Sequence, residues 1–229
     1  MKLTPRLQTI AELVPNGGRI ADIGTDHAYL PVYLIENKIV QEAIAADINV
    51  GPLRNAEKTI NSYKYNKYIE TRLGSGLTPI KPNEVDTVVI AGMGGLLIRD
   101  ILQESIEVVR TVKTLILQPM VAQDEVRKWL CGNGLKIDNE RLAKEGNKLY
   151  EILVVTKGEM EIENDIYYEV GYKLIENKDP YINDFIEAKL RKYTEILKTV
   201  ENENTAKAKE KFLECKERIE KLKKVRECL

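Results

Sequence analysis

Among its 229 residues this sequence holds one histidine, one tryptophan, two phenylalanines and three cysteines. Cys131, Cys215 and Cys228 have no metal-ligand spacing, so no zinc-type site is expected and no metal is assigned. An odd, unpatterned cysteine set argues against a disulfide framework and fits reduced thiols in a cytoplasmic protein. No apolar run approaches the ~20 residues that span a bilayer. The amino terminus is polar and reaches Pro5 without a hydrophobic stretch, so neither anchor nor signal peptide is expected. An excess of one charge is missing too: 35 Lys and Arg stand against 36 Asp and Glu. A polyanionic partner would have to be held by a local basic patch rather than by the field of the whole protein.

What the chain does have is 43% hydrophobic residues, enough for one full α/β domain with a modest appendage. Its centre is Arg19-Ile-Ala-Asp-Ile-Gly-Thr-Asp-His-Ala-Tyr-Leu-Pro31. Ile20 to Ile23 reads as a buried strand, Gly24 as a turn, and Ala28 to Glu36 as the next helix. A carboxylate near the end of a first strand, then glycine and a helix, opens a nucleotide-binding βαβ unit. Taken alone, the same pattern also fits an ordinary βα turn. Asp26 and His27 stand where a dinucleotide fingerprint needs further glycines, so a ligand that puts no pyrophosphate there fits better. S-adenosylmethionine, with a cationic sulfonium and amino group, is such a ligand.

The remaining elements alternate. Thr4 caps a helix to Val14, with Pro5 in its first turn. Glu42 to Asp47 reads as a second strand, and Asp47 lies 25 residues beyond Asp22, near the separation at which such folds place an acid on a ribose. Asp47 also suits a cap for the helix over Pro52 to Asn61. Tyr63 to Tyr68, with Lys64 and Lys67 interleaved, fits either base stacking or a solvated helix end. Ile69 to Leu73 is a third strand, followed by Gly74-Ser-Gly-Leu77. Val85 to Ala91 is a fourth, running into Gly92-Met-Gly-Gly95, where three glycines call for unusual backbone angles or close approach of a ligand. A helix over Leu96 to Val109, a strand over Thr114 to Leu117 and a helix over Val121 to Leu130 follow. Lys136 to Arg141 and Leu149 to Thr156 form a last strand pair. Strand and helix alternating five times imply a parallel, doubly wound sheet, and an antiparallel final strand matches its methyltransferase variant.

From about Glu161 the composition changes, with one glycine left and Lys and Glu dominant. Ile182, Phe185, Ile186, Leu190, Tyr193, Leu197 and Val200 make one helical stripe. Ala208, Phe212, Cys215, Ile219, Leu222 and Leu229 make another, at coiled-coil spacing. Glu201 to Asn204 is the expected hinge of an antiparallel hairpin. From Thr205 onward nine basic residues face five acidic ones, a local +4 that suits either a polyanion or a solvated face beside the seam. The expected division is a Rossmann-like domain over residues 1–160 and a helical coiled-coil domain over 161–229.

Arg6-Leu7, the block from Asp22 to Pro31, Ala91-Gly-Met-Gly-Gly95 and Leu117-Gln-Pro119 together resemble the bacterial tRNA (adenine-22-N1)-methyltransferase family. That resemblance covers the whole chain and implies a class I methyltransferase domain with a carboxy-terminal coiled coil. It also implies S-adenosylmethionine as donor and N1 of a D-arm adenine in tRNA as acceptor. The implied cofactor residues are Asp22, Gly24 and Thr25 at the methionine end, Asp47, Ile48 and Asn49 at the ribose, and Gly74, Ser75, Gly76 and Leu77 around the adenine. Ala91, Gly92, Met93 and Gly94 complete that set, and Arg6, Gly95, Gln118 and Pro119 are the implied substrate contacts. Ser75 departs from the aspartate often found at its position, so the adenine amine would meet a neutral acceptor there.

Adenine N1 carries a lone pair at neutral pH, so its methylation needs alignment and stabilisation of a developing cation rather than a base. Asp26 is the expected stabiliser, His27 either orients base or cofactor or caps the next helix, and Tyr29 either stacks on the base or packs. The absence of an Asn/Asp-Pro-Pro-aromatic loop at Gly92 to Gly95 suits a ring nitrogen better than an exocyclic amine. The Lys64/Lys67 face and the basic arm after Thr205 are expected to hold the tRNA body. A monomer or weak homo-oligomer is expected. A small-molecule methyltransferase with a dimerising tail, or a non-catalytic scaffold, stays open at this level.

Overall fold

The computed structural model describes residues 1–201, 203 and 205–229, so Asn202 and Asn204 of the expected hinge lie outside the described residues. In chain order the elements are α1 (Pro5–Leu13), β1 (Arg19–Ile23), α2 (Tyr29–Glu36), β2 (Glu42–Asp47), α3 (Val50–Tyr63), β3 (Ile69–Leu73) and β4 (Thr87–Met93). Then come α4 (Gly95–Glu104), α5 (Ile106–Val109), β5 (Thr114–Pro119), α6 (Gln123–Gly132), β6 (Leu135–Glu145) and β7 (Lys148–Lys157). The last are α7 (Ile166–Val170), α8 (Tyr172–Glu176), α9 (Ile182–Val200) and α10 (Ala206–Glu227). The chain divides into two compact units, Met1–Glu161 and Ile162–Leu229.

The first unit holds one seven-stranded sheet in the order β3-β2-β1-β4-β5-β7-β6. β1 to β5 run parallel, and β7 joins β5 antiparallel. Side chains alternate across the sheet, as the pleat requires. Ala21, Ile23, Val88, Ile90, Leu115 and Leu117 pack on one face with Ile98 and Leu102 of α4 and Val126 and Leu130 of α6. Ile20, Ala43, Ala45, Val89 and Ile116 pack on the other with Ile10 of α1, Leu30 and Leu34 of α2, and Ala56 and Ile60 of α3. Both faces are therefore covered, which is why the central strands read as mostly apolar runs, Asp22 of β1 apart. The strand order reverses between β1 and β4, so the crevice outside their carboxyl ends is the place where such sheets take ligands.

Two expectations need correction. No helix joins β3 to β4; the segment over 74–86 runs in turns and irregular backbone, with Gly74, Gly76, Pro79 and Pro82 preventing a helical run. Helices therefore fill four of the five connections. The helix expected over Leu96 to Val109 is broken at Ser105 (φ −117°, ψ 38°) into α4 and α5.

A buried ion cluster ties α6 to the β6–β7 hairpin. Arg127 is fully buried and donates from Nε to Glu140 Oε1 at 2.8 Å and from Nη2 to Glu151 Oε2 at 2.7 Å. Burial alone would lower the guanidinium pKa, but the charges and hydrogen bonds of Glu140 and Glu151 outweigh it and raise it.

The second unit contains more than a hairpin. α9 buries Ile182, Phe185, Ile186 and Leu190, and α10 buries Ala208, Cys215, Leu222 and Val225. Phe212 and Ile219 are half-buried. The short α7 and α8 precede them and bury Ile166, Val170 and Leu174. Arg218 and Lys221 of α10 reach Asp165 at 3.2 and 2.7 Å, and Tyr193 donates to Glu169 at 2.8 Å.

Replacing Arg127 with Met removes the guanidinium that both buried carboxylates accept from, which costs about 3–5 kcal/mol. Thermal melts should show Arg127→Met far less stable than wild type, with much of the loss recovered when Glu140→Gln and Glu151→Gln are added.

Candidate active site

The turn after β1 builds most of the site from consecutive residues. Gly24 takes φ +78°, a left-handed conformation that favours glycine. A Cβ there would also lie 2.2 Å from Met93 Cε, so the β1 turn and the end of β4 touch directly. Ala28 takes φ 52° as the residue before α2, and its N–H donates to Thr25 Oγ1 at 3.1 Å. A non-glycine residue in this region is strained and is retained where the surrounding structure demands it. Thr25, not His27, therefore serves the start of α2. His27 is free for the cleft: its ring stacks on Tyr29 (centroids 5.0 Å apart, 9° between planes) and its Nε2 lies 3.3 Å from Asp26 Oδ2.

These residues line a cleft of about 250 Å³ together with Arg6, Leu7, Asp22, Leu30 and Ala91. Asp22 is buried at its floor. Burial pushes its carboxyl up to about 6, the Thr25 hydrogen bond partly offsets this, and the nearby negative charge of Asp47 raises it further. Among the described residues no Lys or Arg forms an ion pair with either carboxylate. Two acids without a counter-cation at adjacent strand ends are what a cationic ligand bearing hydroxyl donors would satisfy. The donor set thus fits S-adenosylmethionine. Asp26 differs in kind, because its side chain is 69% exposed at the mouth.

Not every expected residue lines this cleft. Asp47 ends β2, one strand over, and accepts from the Asn49 N–H at 2.7 Å, with Asn49 preceding α3 and Ile48 exposed. The carboxylate thus orders the entry to α3 while keeping a second oxygen. Gly74 to Leu77 follow β3, where a Cβ on Gly74 would press on Pro79 and one on Gly76 on Ile101. Ser75 is exposed, whereas Leu77 is buried in the core against the sheet.

The Gly92-Met-Gly-Gly95 run resolves into separate demands. Gly92 takes φ +83°, and Gly94 has an ordinary backbone. A Cβ on Gly95 would lie 2.4 Å from the Ala122 carbonyl, and its N–H donates to Val121 O at 2.8 Å. The close approach at Gly95 is thus to the chain's own β5–α6 loop rather than to a ligand. Gln118 and Pro119 are likewise buried. Gln118 Oε1 accepts from Arg6 Nη1 at 2.7 Å and from the Gly92 N–H at 3.1 Å, so it reaches the cleft only through Arg6.

Sequence reasoning missed what holds Arg6. Its guanidinium lies 5.4 Å from the Tyr150 ring centre and 4.0 Å from Glu145, both on the β6–β7 hairpin. No local pattern links residue 6 to residues 145–150. Leu7 and Leu30 as lining side chains, and the left-handed Ala28, also carried no signal.

Comparison with known proteins follows the same lines. The Methyltransferase domain family model matches residues 3–153. The tRNA (adenine(22)-N(1))-methyltransferase of Bacillus subtilis is 41% identical over 165 residues, 72% of this chain and 69% of the relative. The crystal structure of the B. subtilis m1A22 tRNA methyltransferase TrmK is 35% identical, covers 98% of both chains and superposes with a TM-score of 0.89. M. capricolum TrmK, solved with S-adenosyl-homocysteine, is 31% identical over 100% of this chain and 99% of that one, with a TM-score of 0.86. With this identity, coverage and shared topology, the chain belongs to the bacterial tRNA (adenine(22)-N(1))-methyltransferase family.

Proposed function

We propose that this protein transfers a methyl group from S-adenosylmethionine to N1 of adenine 22 in tRNA, in the cytoplasm. The observation that carries the reading is the uncompensated Asp22 carboxylate at the sheet's reversal point, beside an exposed Asp26-His27-Tyr29 mouth. Family membership supports it independently. When bound, S-adenosylmethionine supplies an electrophilic methyl on a sulfonium. Asp22 and the Gly24–Thr25 turn would hold its amino-acid end, Asp47 and Asn49 its ribose hydroxyls, and the Gly74 to Gly76 turn its adenine. Met93, against Gly24, would close the floor.

The acceptor's own lone pair is the nucleophile, so none of these side chains need remove a proton first. Tyr29 offers a ring face for the target base, and His27 behind it holds that ring in place through their stack. Asp26 faces the charge that builds on the base. In the free protein, water screens it; once RNA covers the mouth the effective dielectric drops and the same carboxylate acts more strongly. Arg6, held by Gln118, Glu145 and Tyr150, carries the opposite sign and suits a phosphate better than the cationic ring.

N1 lies on the pairing edge, so the base must leave its stack at a cost of a few kcal/mol. Phosphate contacts offset that cost. On α10, Lys209, Lys216 and Lys223 recur every seven residues, are exposed and form no ion pair among the described residues. We assign them to the tRNA body, with Lys64 and Lys67.

The direct test is labelled methyl transfer to unmodified tRNA, with reverse transcription to locate the product. N1-methyladenine blocks pairing, so a new stop at one D-arm adenine is expected; no incorporation, with cofactor still bound, overturns the reading. In the same assay Asp26→Asn should lower kcat about tenfold or more, near 1.4 kcal/mol, and leave cofactor affinity unchanged.

Asp22 sets a pH signature. Its folded pKa of about 6 lies above the 3.8 of an ordinary aspartate, so the free protein holds this proton more tightly than the unfolded chain does. The ionised group therefore destabilises the free fold at neutral pH, by about 3 kcal/mol at most. That penalty fades as pH falls through 6 and is gone below 3.8. Cofactor affinity runs the other way: calorimetry should find it level above pH 6 and weakening by up to tenfold per unit below. Asp22→Asn should bind cofactor poorly yet melt several degrees higher at pH 7.5.

Replacing Lys209, Lys216 and Lys223 with Ala should raise the KM for tRNA and flatten its dependence on salt. Cofactor affinity in that triple variant should match wild type.

A further inference from the structure

A second cleft, of about 440 Å³, opens beside the first. It lies between the first residues of the chain and the end of α3, lined by Leu3, Thr4, Thr59, Ser62 and Tyr63 among others. Leu7 and Tyr29 line both clefts, so the Tyr29 ring is the wall between them. Its size is that of a small-ligand cleft. Apart from Tyr29 in its wall and Lys64 near its edge, nothing in the proposed methyl transfer uses it.

Its chemistry is specific. Tyr63 is 38% exposed and Tyr29 44%, so both rings keep open surface, with His27 stacked on one face of Tyr29. The Thr59 hydroxyl donates to Asn55 O at 3.1 Å and the Ser62 hydroxyl to Thr59 O at 2.8 Å. Their protons are committed to the helix, so both oxygens are left as acceptors, suited to an exocyclic amino group. Around it cations outnumber acids: the Met1 amine at its edge is bonded to Glu36 at 2.6 Å, while four further cations lie nearby. Lys2 lines the cleft, Arg54 and Lys58 precede the lining residues on α3, and Lys64 follows them. All four are exposed, and none forms an ion pair among the described residues. Aromatic faces beside unpaired cations are the features with which proteins hold unstacked single-stranded nucleotides.

We propose that this second cleft holds a nucleotide adjacent to the target adenosine on the same RNA strand, its base stacked on Tyr63 and its phosphates among Lys2, Lys58 and Lys64. The inference rests on the tRNA reading above and deepens it. Tyr29 then separates two unstacked bases, the target on the Asp26 side and its neighbour on the Tyr63 side. Holding the neighbour keeps the strand open while the target is methylated, and it allows the enzyme to read sequence beside the modified position.

The test is a cycle between protein and RNA on the full-length enzyme. A tRNA lacking the base immediately 5′ of the target, and another lacking the base 3′ of it, are compared with intact tRNA on wild type and on Tyr63→Ala. Stacking of one base on an aromatic ring corresponds to a loss of about tenfold in kcat/KM. One of the two abasic tRNAs should lose about that much on wild type, and Tyr63→Ala should lose a similar amount on intact tRNA. Together the two changes should cost no more than either alone. Tyr63→Phe should restore intact-tRNA activity, and cofactor affinity should be unchanged in both variants. Losses that multiply for both abasic tRNAs, or no loss from either on wild type, overturn the inference alone. Wild-type inactivity on intact tRNA overturns the reading beneath it, and the inference with it.

Discussion

The whole arrangement depends on a charge that the fold leaves uncompensated. Asp22 sits at the end of β1, between strands packed on both faces, where no lysine or arginine among the described residues pairs with it. A buried carboxylate in that position is expensive, and its raised pKa measures the expense. The fold bears it because the apolar layers on either side of the sheet hold β1 in register with β2 and β4 regardless. Gly24 turns the chain beneath the site, and Thr25 gives the carboxyl a hydrogen bond while also accepting from Ala28. What is lost in stability is held available for a cation. The site is thus defined by something missing from the protein rather than by something present.

Around that carboxylate, the two sides of the cleft are made differently. One side is a single run of residues, from Asp22 to Leu30, shaped by a left-handed glycine and a left-handed alanine. The other is assembled from far apart: Arg6 from α1, Ala91 from β4, and behind them Gln118, Glu145 and Tyr150. The Arg127 cluster fastens α6 to the hairpin that carries Glu145 and Tyr150. A charge cluster remote from the cleft therefore helps fix the hairpin on which Arg6 rests.

The same contrast explains what could be read from the sequence. β2 and β3 matched their expected bounds at Glu42–Asp47 and Ile69–Leu73, since short segments closed by turn residues leave little freedom. The contiguous Asp22 to Tyr29 motif was legible for a similar reason: neighbours in sequence share one turn. The break at Ser105 was not legible, because the apolar pattern continues through it and only the local backbone angles end the helix. α7 and α8 are too short to develop a period. Gly95 was misleading in an instructive way, as a glycine needed for close approach does not say what approaches. That Gln118 is buried and bonded to Arg6 is an arrangement that needs coordinates. The second cleft, drawn from residues 1–7, 29 and 59–63, leaves no linear trace at all.

The bond between Arg6 and Gln118 joins residues 112 positions apart, and Tyr150 lies further still along the chain. A protein emerging from the ribosome has its Asp22 turn early, but one wall of the cleft exists only after the β6–β7 hairpin has been made. Contacts of such long sequence separation form late and slowly. The cleft therefore becomes a finished site only when nearly the whole first unit is available to fold.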